Sequence, residues 1–125
     1  RRYKHVLDFE AMLAEEGTVI IKLFLNISKA EQKKRLESRL QDPDKLWKFC
    51  MDDLDDRNRW DEFQTAYQDL IEKTSTPEAP WYIIPADRKW YRNLVVARLM
   101  VEKLRHLQLS LPTPNFDPAS IIIPD

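Results

Sequence analysis

The spacing of apolar residues predicts alternating helices and short strands along this chain. Residues 1–15 carry apolar side chains three or four positions apart, which predicts an amphipathic helix. Gly17 follows where a residue with positive φ would end that helix. Residues 18–25 and 81–85 are short, mostly apolar and rich in β-branched or aromatic residues, so each is predicted to form a buried strand.

Three further helices are predicted between and after these strands. Ser28 with Glu31 three positions later is a capping box, which predicts a helix over residues 29–41 that ends at Asp42-Pro43. A longer helix is predicted over residues 52–73, and a final one over residues 89–107. Their predicted inward faces are Trp60, Phe63, Tyr67 and Leu70 in the first and Leu94, Ala97, Val101 and Leu104 in the second.

This order of elements predicts an α/β fold in which a parallel sheet is flanked by helices. Two strands do not make an independently stable sheet, so further strands must come from elsewhere. The chain also lacks an initiator Met and opens inside a helical pattern, so we expect it to be part of a longer protein. Residues 110–125 are rich in proline and are predicted to form an irregular tail.

Composition narrows the possible chemistry. The 125 residues include one glycine, where average usage would give about nine, and this excludes a glycine-rich phosphate loop within the chain. The single cysteine, Cys50, excludes an internal disulfide and fits a reducing cytosol. The net charge of −1 gives no support for binding nucleic acid or an anionic membrane, and no apolar run reaches the length of a membrane span.

Basic residues are concentrated between positions 29 and 48, where seven basic side chains stand against four acidic ones. Arg35 and Arg39 are four positions apart and therefore share one helix face. Arginine forms planar contacts with phosphate oxygens, so this face is a candidate polyanion site. The alternative is a solvated helix face with internal pairs such as Glu31 with Arg35. The basic residues are Lys29, Lys33, Lys34, Arg35, Arg39, Lys45 and Lys48.

Other conspicuous residues favour structural roles. Residues 52–62 carry six acidic and two basic side chains, and acids at the start of a helix favour its dipole. The alternative is a metal-binding or lid-docking surface, for which paired aspartates are a weak signal. Ser28 is a helix cap, because no histidine is placed to activate it as a nucleophile. Trp47 and Trp90 lie beside basic residues, so contact with a base or substrate edge stays open beside core packing.

Taken in order, the chain closely resembles the polyphosphate kinase 2 family over residues 1–109. The resemblance rests on many positions in the same order and spacing, which makes it more specific than any single motif. These positions are Gly17-Thr18, Lys22 to Ser28, Glu31-Gln32, Arg35, Arg39, Asp42-Pro43, Lys45, Trp47 to Phe49, Trp60-Asp61, Thr74 to Thr76, and Ala79 to Trp90.

The resemblance implies the carboxyl-terminal half of a P-loop kinase related to thymidylate kinases. Residues 1–109 would belong to the kinase domain, with a helical lid over about residues 29–50 and a tail over residues 110–125. The Walker A loop and the Walker B acid of the family would precede Arg1. The chain by itself is therefore expected to be inactive, and the Mg²⁺ that the family uses would have its ligands outside this chain.

The implied activity is phosphoryl transfer between inorganic polyphosphate and a nucleoside mono- or diphosphate carrying adenine or guanine. The resemblance also implies a cytoplasmic homo-oligomer without nucleic-acid or membrane partners. The implied site residues are Arg35 and Arg39 for catalysis, Lys34, Lys45 and Lys48 for polyphosphate, and Asp87 and Lys89 for the nucleotide.

Two other functions remain open at this point. A non-catalytic polyanion-binding or assembly module could use the same basic helix without a phosphate-binding loop. A helical nucleic-acid binder is disfavoured, because the net charge is near zero and an acidic stretch follows directly after the basic one.

Overall fold

The computed structural model describes residues 1–124 and confirms a helix-rich α/β fold with a small parallel sheet. Two 3₁₀ segments, Pro43–Lys48 and Pro118–Ser120, accompany the regular elements. In chain order these elements are α1 (Arg2–Glu15), β1 (Lys22–Asn26), α2 (Lys29–Gln41), α3 (Asp52–Asn58), α4 (Trp60–Thr74), β2 (Trp81–Pro85) and α5 (Lys89–His106).

The two strands pair in parallel, with Lys22 opposite Trp81 and Asn26 opposite Pro85. The amide of Ala86 also donates to the carbonyl of Asn26 at 2.7 Å, which extends the pairing one residue past β2. Both strands therefore end at the same edge of the sheet, and α2 and α5 begin within a few residues of that edge. The candidate functional site lies at this edge.

The predicted start of the first strand was too early. Residues 18–21 are not part of the strand, which runs over Lys22–Asn26. Gly17 adopts φ +82° as predicted, and the amide of Thr18 donates back to the carbonyl of Leu13 at 2.9 Å. Thr18 therefore completes the end of α1, and strand geometry begins only where β2 offers hydrogen-bond partners.

A buried lysine joins three elements at the opposite edge of the sheet. Lys22 is 7% exposed, and its Nζ donates to Glu10 of α1 at 2.7 Å and to the carbonyl of Thr74 at the end of α4. Nζ also lies 5.4 Å from the centre of the Trp81 ring. A buried charge needs such partners, so these contacts fix α1 and α4 against the sheet.

The predicted helix over residues 52–73 is two helices. Its regular hydrogen bonding is interrupted at Arg59, where φ is −98° and ψ is 26°. Asn58 has low helix propensity, and Arg59 pairs forward with Glu62 of α4, so both residues favour a new start. The predicted apolar line of α4 is confirmed by Tyr67, whose ring lies 5.1 Å from that of Phe24 in β1.

The predicted inward face of the last helix was wrong. Leu94, Val101 and Leu104 are 41%, 46% and 52% exposed. The α5 residues that are partly buried are Arg92, Val95, Val96, Leu99 and Lys103. Helix α5 carries apolar residues on more than one face, so its pattern did not show which face a two-stranded sheet would cover. Among residues 1–124, no helix combines the length and apolar character needed to cross a membrane.

Candidate functional site

A groove lies at the edge where both strands end. It consists of two adjoining cavities of about 370 and 560 Å³ that share Asn26, Ile27, Trp60 and Gln64. In open α/β sheets, ligands bind outside the carboxyl ends of the strands, which is where this groove lies.

The two cavities differ in chemistry. The smaller one is lined by the aromatic side chains of α4 and β1, by amide groups, and by the carboxylates Asp53 and Asp56 of α3. The larger one is bordered by the first residues of α2, by the loop over residues 86–88, and by Tyr91. The groove therefore offers aromatic and amide surface between the starts of α2 and α5.

Asp87 caps α2 from across the sheet edge. Its Oδ1 accepts a hydrogen bond of 2.7 Å from the backbone amide of Ser28. Ser28 in turn accepts from the amide of Glu31 at 3.1 Å, which confirms its predicted role as a helix cap. The hydrogen bonds with Ser28, and secondarily the charge of Arg35, hold the pKa of Asp87 below its ordinary value.

The other half of the predicted capping box is absent because Glu31 has a different partner. Its Oε1 accepts from Nε of Arg35 at 2.8 Å, which is the intrahelical pair that the sequence left open. Nη2 of Arg35 donates to the carbonyls of Ala86 at 2.7 Å and Asp87 at 3.2 Å. Arg35 is 22% exposed and is tied to the loop after β2.

Arg39, one turn after Arg35, is held much more loosely. Its Nη1 lies 3.4 Å from Oδ2 of Asp53 and 3.5 Å from the carbonyl of Lys48, both long for hydrogen bonds. Its side chain is 36% exposed. Arg39 therefore has access to solvent and only weak contacts to give up to a ligand.

The predicted phosphate-binding lysines lie on the surface of α2 and the following 3₁₀ segment. Lys34 and Lys48 are exposed, and Nζ of Lys48 lies 4.9 Å from the centre of the Trp47 ring. Lys45 pairs with Asp42, and this hydrogen bond is the main cause that lowers the pKa of Asp42. Trp47 itself is 78% exposed, so it does not pack in the core of the described residues, and its Nε1 donates to the carbonyl of Asp44 at 3.0 Å.

Arg57, for which no role is predicted from the sequence, connects α3 to α2 in the structure. Nη1 of Arg57 donates to the carbonyl of Lys29 and to Oε1 of Gln32, both at 2.8 Å. These contacts hold α3 against the first turn of α2. Their partners are 25 and 28 residues away, so no local sequence signal could have shown them.

Comparison with known proteins decides the family. Residues 1–111 match the family model for polyphosphate kinase 2 (PPK2). The chain belongs to the polyphosphate kinase 2 family. It is 51% identical to an AMP/ADP-polyphosphate phosphotransferase of Meiothermus ruber, a match that covers 98% of this chain and 46% of that protein.

Two further relatives agree with this polyphosphate kinase 2 assignment. An ADP-polyphosphate phosphotransferase of Rhodopseudomonas palustris is 39% identical, over 90% of this chain and 39% of that protein. The crystal structure of polyphosphate kinase 2 from Arthrobacter aurescens TC1 superposes with a TM-score of 0.91 at 50% identity, over 96% of this chain and 43% of that one. The chain thus spans less than half the length of these relatives.

The seven predicted site residues of this polyphosphate kinase 2 chain do not all lie at the groove. Asp87 lines the groove, whereas the other six lie outside the lining of its two cavities. Lys89 is exposed at the first position of α5, directly after the loop. Lys29 and Arg88 also line the larger cavity, although neither is among the seven predicted site residues.

A metal site was expected outside this chain. Over residues 1–124, no three histidine, cysteine, aspartate or glutamate side chains are grouped closely enough to hold a metal ion. Mg²⁺ is usually held by one or two carboxylates together with substrate phosphates, so the location of its ligands outside this chain stays a prediction.

Proposed function

We propose that this chain is the lid-bearing part of a phosphotransferase that moves phosphoryl groups between inorganic polyphosphate and a nucleoside mono- or diphosphate. The observation that carries the proposal is the family match over residues 1–111, together with a relative at 51% identity named for transfer between polyphosphate and AMP or ADP. The groove at the carboxyl edge of the sheet supports it, because this is where nucleotides bind in related architectures.

The proposed lid covers residues 29–50, and its basic side chains would face the polyphosphate. Arg39 is the strongest candidate for contact with the transferred phosphoryl group, because it is partly exposed and only loosely held. Its guanidinium would place two N–H groups against charge that develops in the transition state. Lys34, Lys45 and Lys48 would bind phosphates further along the polymer as point charges.

The proposed nucleotide side is the loop over residues 86–88 with the start of α5. Lys89 is exposed there, and Tyr91 offers an aromatic surface in the larger cavity. The predicted ligand contacts of Arg35 and Asp87 stay predictions. Their hydrogen bonds inside the chain support a positioning role instead.

The remaining parts of the proposal come from the family resemblance. Mg²⁺, bound by ligands outside this chain, would neutralise phosphate charge during transfer. Adenine or guanine nucleotides are the proposed partners, in a cytoplasmic homo-oligomer. Residues 1–109 are the proposed kinase portion and residues 110–125 a proline-rich tail.

The test is a coupled assay on the natural protein that carries this chain, with ADP or AMP as acceptor and polyphosphate as donor. We expect nucleotide phosphorylation that requires both polyphosphate and Mg²⁺, and none from the 125-residue chain by itself. Binding of polyphosphate that weakens with salt, is independent of nucleotide and Mg²⁺, and is accompanied by no transfer would overturn the proposal. That result would favour the non-catalytic polyanion-binding module.

A further inference from the structure

Four residues join the cap and second turn of α2 to the loop after β2, and we call them the lid clamp: Ser28, Arg35, Ala86 and Asp87. The carboxylate of Asp87 accepts from the amide of Ser28 at 2.7 Å. In the same direction, Nη2 of Arg35 donates to the carbonyls of Ala86 and Asp87 at 2.7 and 3.2 Å. Ser28 and Arg35 thus supply all the donors of the lid clamp, and the loop residues Ala86 and Asp87 supply all the acceptors.

The lid clamp is anchored to the sheet. Ala86 is 1% exposed, and its amide donates to the carbonyl of Asn26 at the end of β1. The carbonyl of the same residue accepts from Arg35. A side chain in the second turn of α2 is therefore connected to the sheet through one buried residue, independently of the covalent link through Ile27.

The orientation of the Arg35 guanidinium is set from a third direction. Glu31 accepts from Nε of Arg35 at 2.8 Å, and the two side chains are 20% and 22% exposed. An arginine held on its Nε edge by a carboxylate has few orientations left for its terminal nitrogens. Glu31 consequently aims Arg35 at the loop and leaves the amide of Ser28 to Asp87.

We propose that Arg35 and Asp87 are positioning residues that set the direction in which the lid helix α2 leaves the sheet. This inference rests on the proposed function, because its consequence falls on Arg39. Arg39 lies one helical turn beyond Arg35 on the same face, so a change of direction at the lid clamp displaces its guanidinium. Displacements of about 1 Å at a reacting group reduce turnover by about 100-fold.

Asp87 could instead contact the nucleotide directly. Transfer kinetics distinguish that role from the positioning of α2. Loss of a nucleotide contact raises the KM for the nucleotide with little change in kcat. Loss of positioning lowers kcat with little change in that KM. Asparagine is also informative at position 87, because its amide oxygen can still cap Ser28 whereas alanine cannot.

The experiment uses the natural protein that carries this chain and measures amide hydrogen exchange together with transfer kinetics. In Asp87→Ala, we expect exchange at the Ser28 amide to be at least about 10-fold faster. We expect kcat to fall by about 10- to 100-fold with a nucleotide KM within about threefold of the wild type. Asp87→Asn should retain most of the protection and most of kcat. Asp8→Asn removes an exposed carboxylate that pairs with Lys4 on α1, and it serves as the matched control.

A double substitution tests whether the side chains of Asp87 and Arg35 act through the same structural effect. If they do, Asp87→Ala combined with Arg35→Gln lowers kcat by less than the product of the two single effects. Unchanged exchange at Ser28 in Asp87→Ala, or a raised nucleotide KM with normal kcat, would overturn the inference. Absence of transfer in the wild-type protein would instead refute the proposed function, while exchange at Ser28 would still decide whether the lid clamp exists.

Discussion

Nζ of Lys22 lies 2.7 Å from the carboxylate of Glu10, with the two side chains only 7% and 13% exposed. The pair lies at the amino-terminal edge of the sheet, away from the groove, and it also involves the carbonyl of Thr74. A buried charge without its partner destabilises the folded state, because its desolvation is no longer compensated. The pair is therefore a sensitive point for stability that has no direct role in ligand binding.

The first prediction concerns this pair. Glu10→Ala should lower the free energy of unfolding by about 3 kcal/mol, because it leaves the Lys22 ammonium buried without its carboxylate. Adding Lys22→Met should recover part of that loss, since the remaining buried group is then apolar. Urea unfolding of the natural protein measures both variants. A double variant less stable than Glu10→Ala would show that Lys22 is satisfied without Glu10.

The second prediction concerns pH and Asp87. Because the pKa of its carboxyl is held below the ordinary value by the Ser28 amide, ionised Asp87 stabilises the folded state above the ordinary pKa. That contribution is lost as the pH falls through the lowered folded-state pKa. The difference in unfolding free energy between the wild type and Asp87→Asn should therefore be constant above about pH 5 and disappear in acid. Parallel stability curves throughout this range would contradict the assignment.

The third prediction concerns Arg39. Arg39→Ala should reduce kcat for polyphosphate-dependent transfer by at least about 100-fold, because a preorganised charge at the phosphoryl group is lost. Its long contacts mean that the free energy of unfolding should change by less than about 0.5 kcal/mol. Arg39→Lys should restore little activity, since an ammonium cannot make the paired contacts.

Arg98→Ala is the matched control for Arg39, because Arg98 is an exposed arginine of α5 that borders a different cavity. It should leave kcat unchanged. Turnover of Arg39→Ala near that of the control would remove Arg39 from the transition state.

The fourth prediction concerns Gly17. A Cβ atom at this position would have nothing within 4 Å, yet the backbone has φ +82°. Gly17→Ala should therefore lower the free energy of unfolding by about 1 kcal/mol through backbone conformation alone. Gly17→Asn should cost less, because asparagine tolerates the left-handed region better. Equal stability of the glycine and alanine forms would show that the end of α1 adjusts freely.

Features that depend on near neighbours in sequence could be predicted from the sequence. The Ser28 cap, the positive φ of Gly17 and the contact face of α4 all follow from residues within a few positions of one another. The order of the predicted helices and strands indicated the α/β fold class with a parallel sheet. These local patterns were sufficient to place the elements in order.

Features that depend on distant partners could not be predicted in this way. The carboxylate of Asp87 and the amide of Ser28 are 59 positions apart, and nothing in either local pattern marks the pair. The sequence around Arg35 is basic and therefore suggests a phosphate ligand. In the structure its partners are instead backbone carbonyls 51 and 52 positions away, a contact that only the folded chain reveals. The covered face of α5 depends on the number of strands beside it, which its own sequence does not encode.

The two-stranded sheet also bears on how this chain behaves in a test tube. Within residues 1–124 each strand pairs with one neighbour, so the outer backbone edges of β1 and β2 have no partner strand. Such edges are templates for strands of other molecules. The midpoint of thermal unfolding for the 125-residue chain should consequently vary with protein concentration, as it does for any folded state stabilised by association.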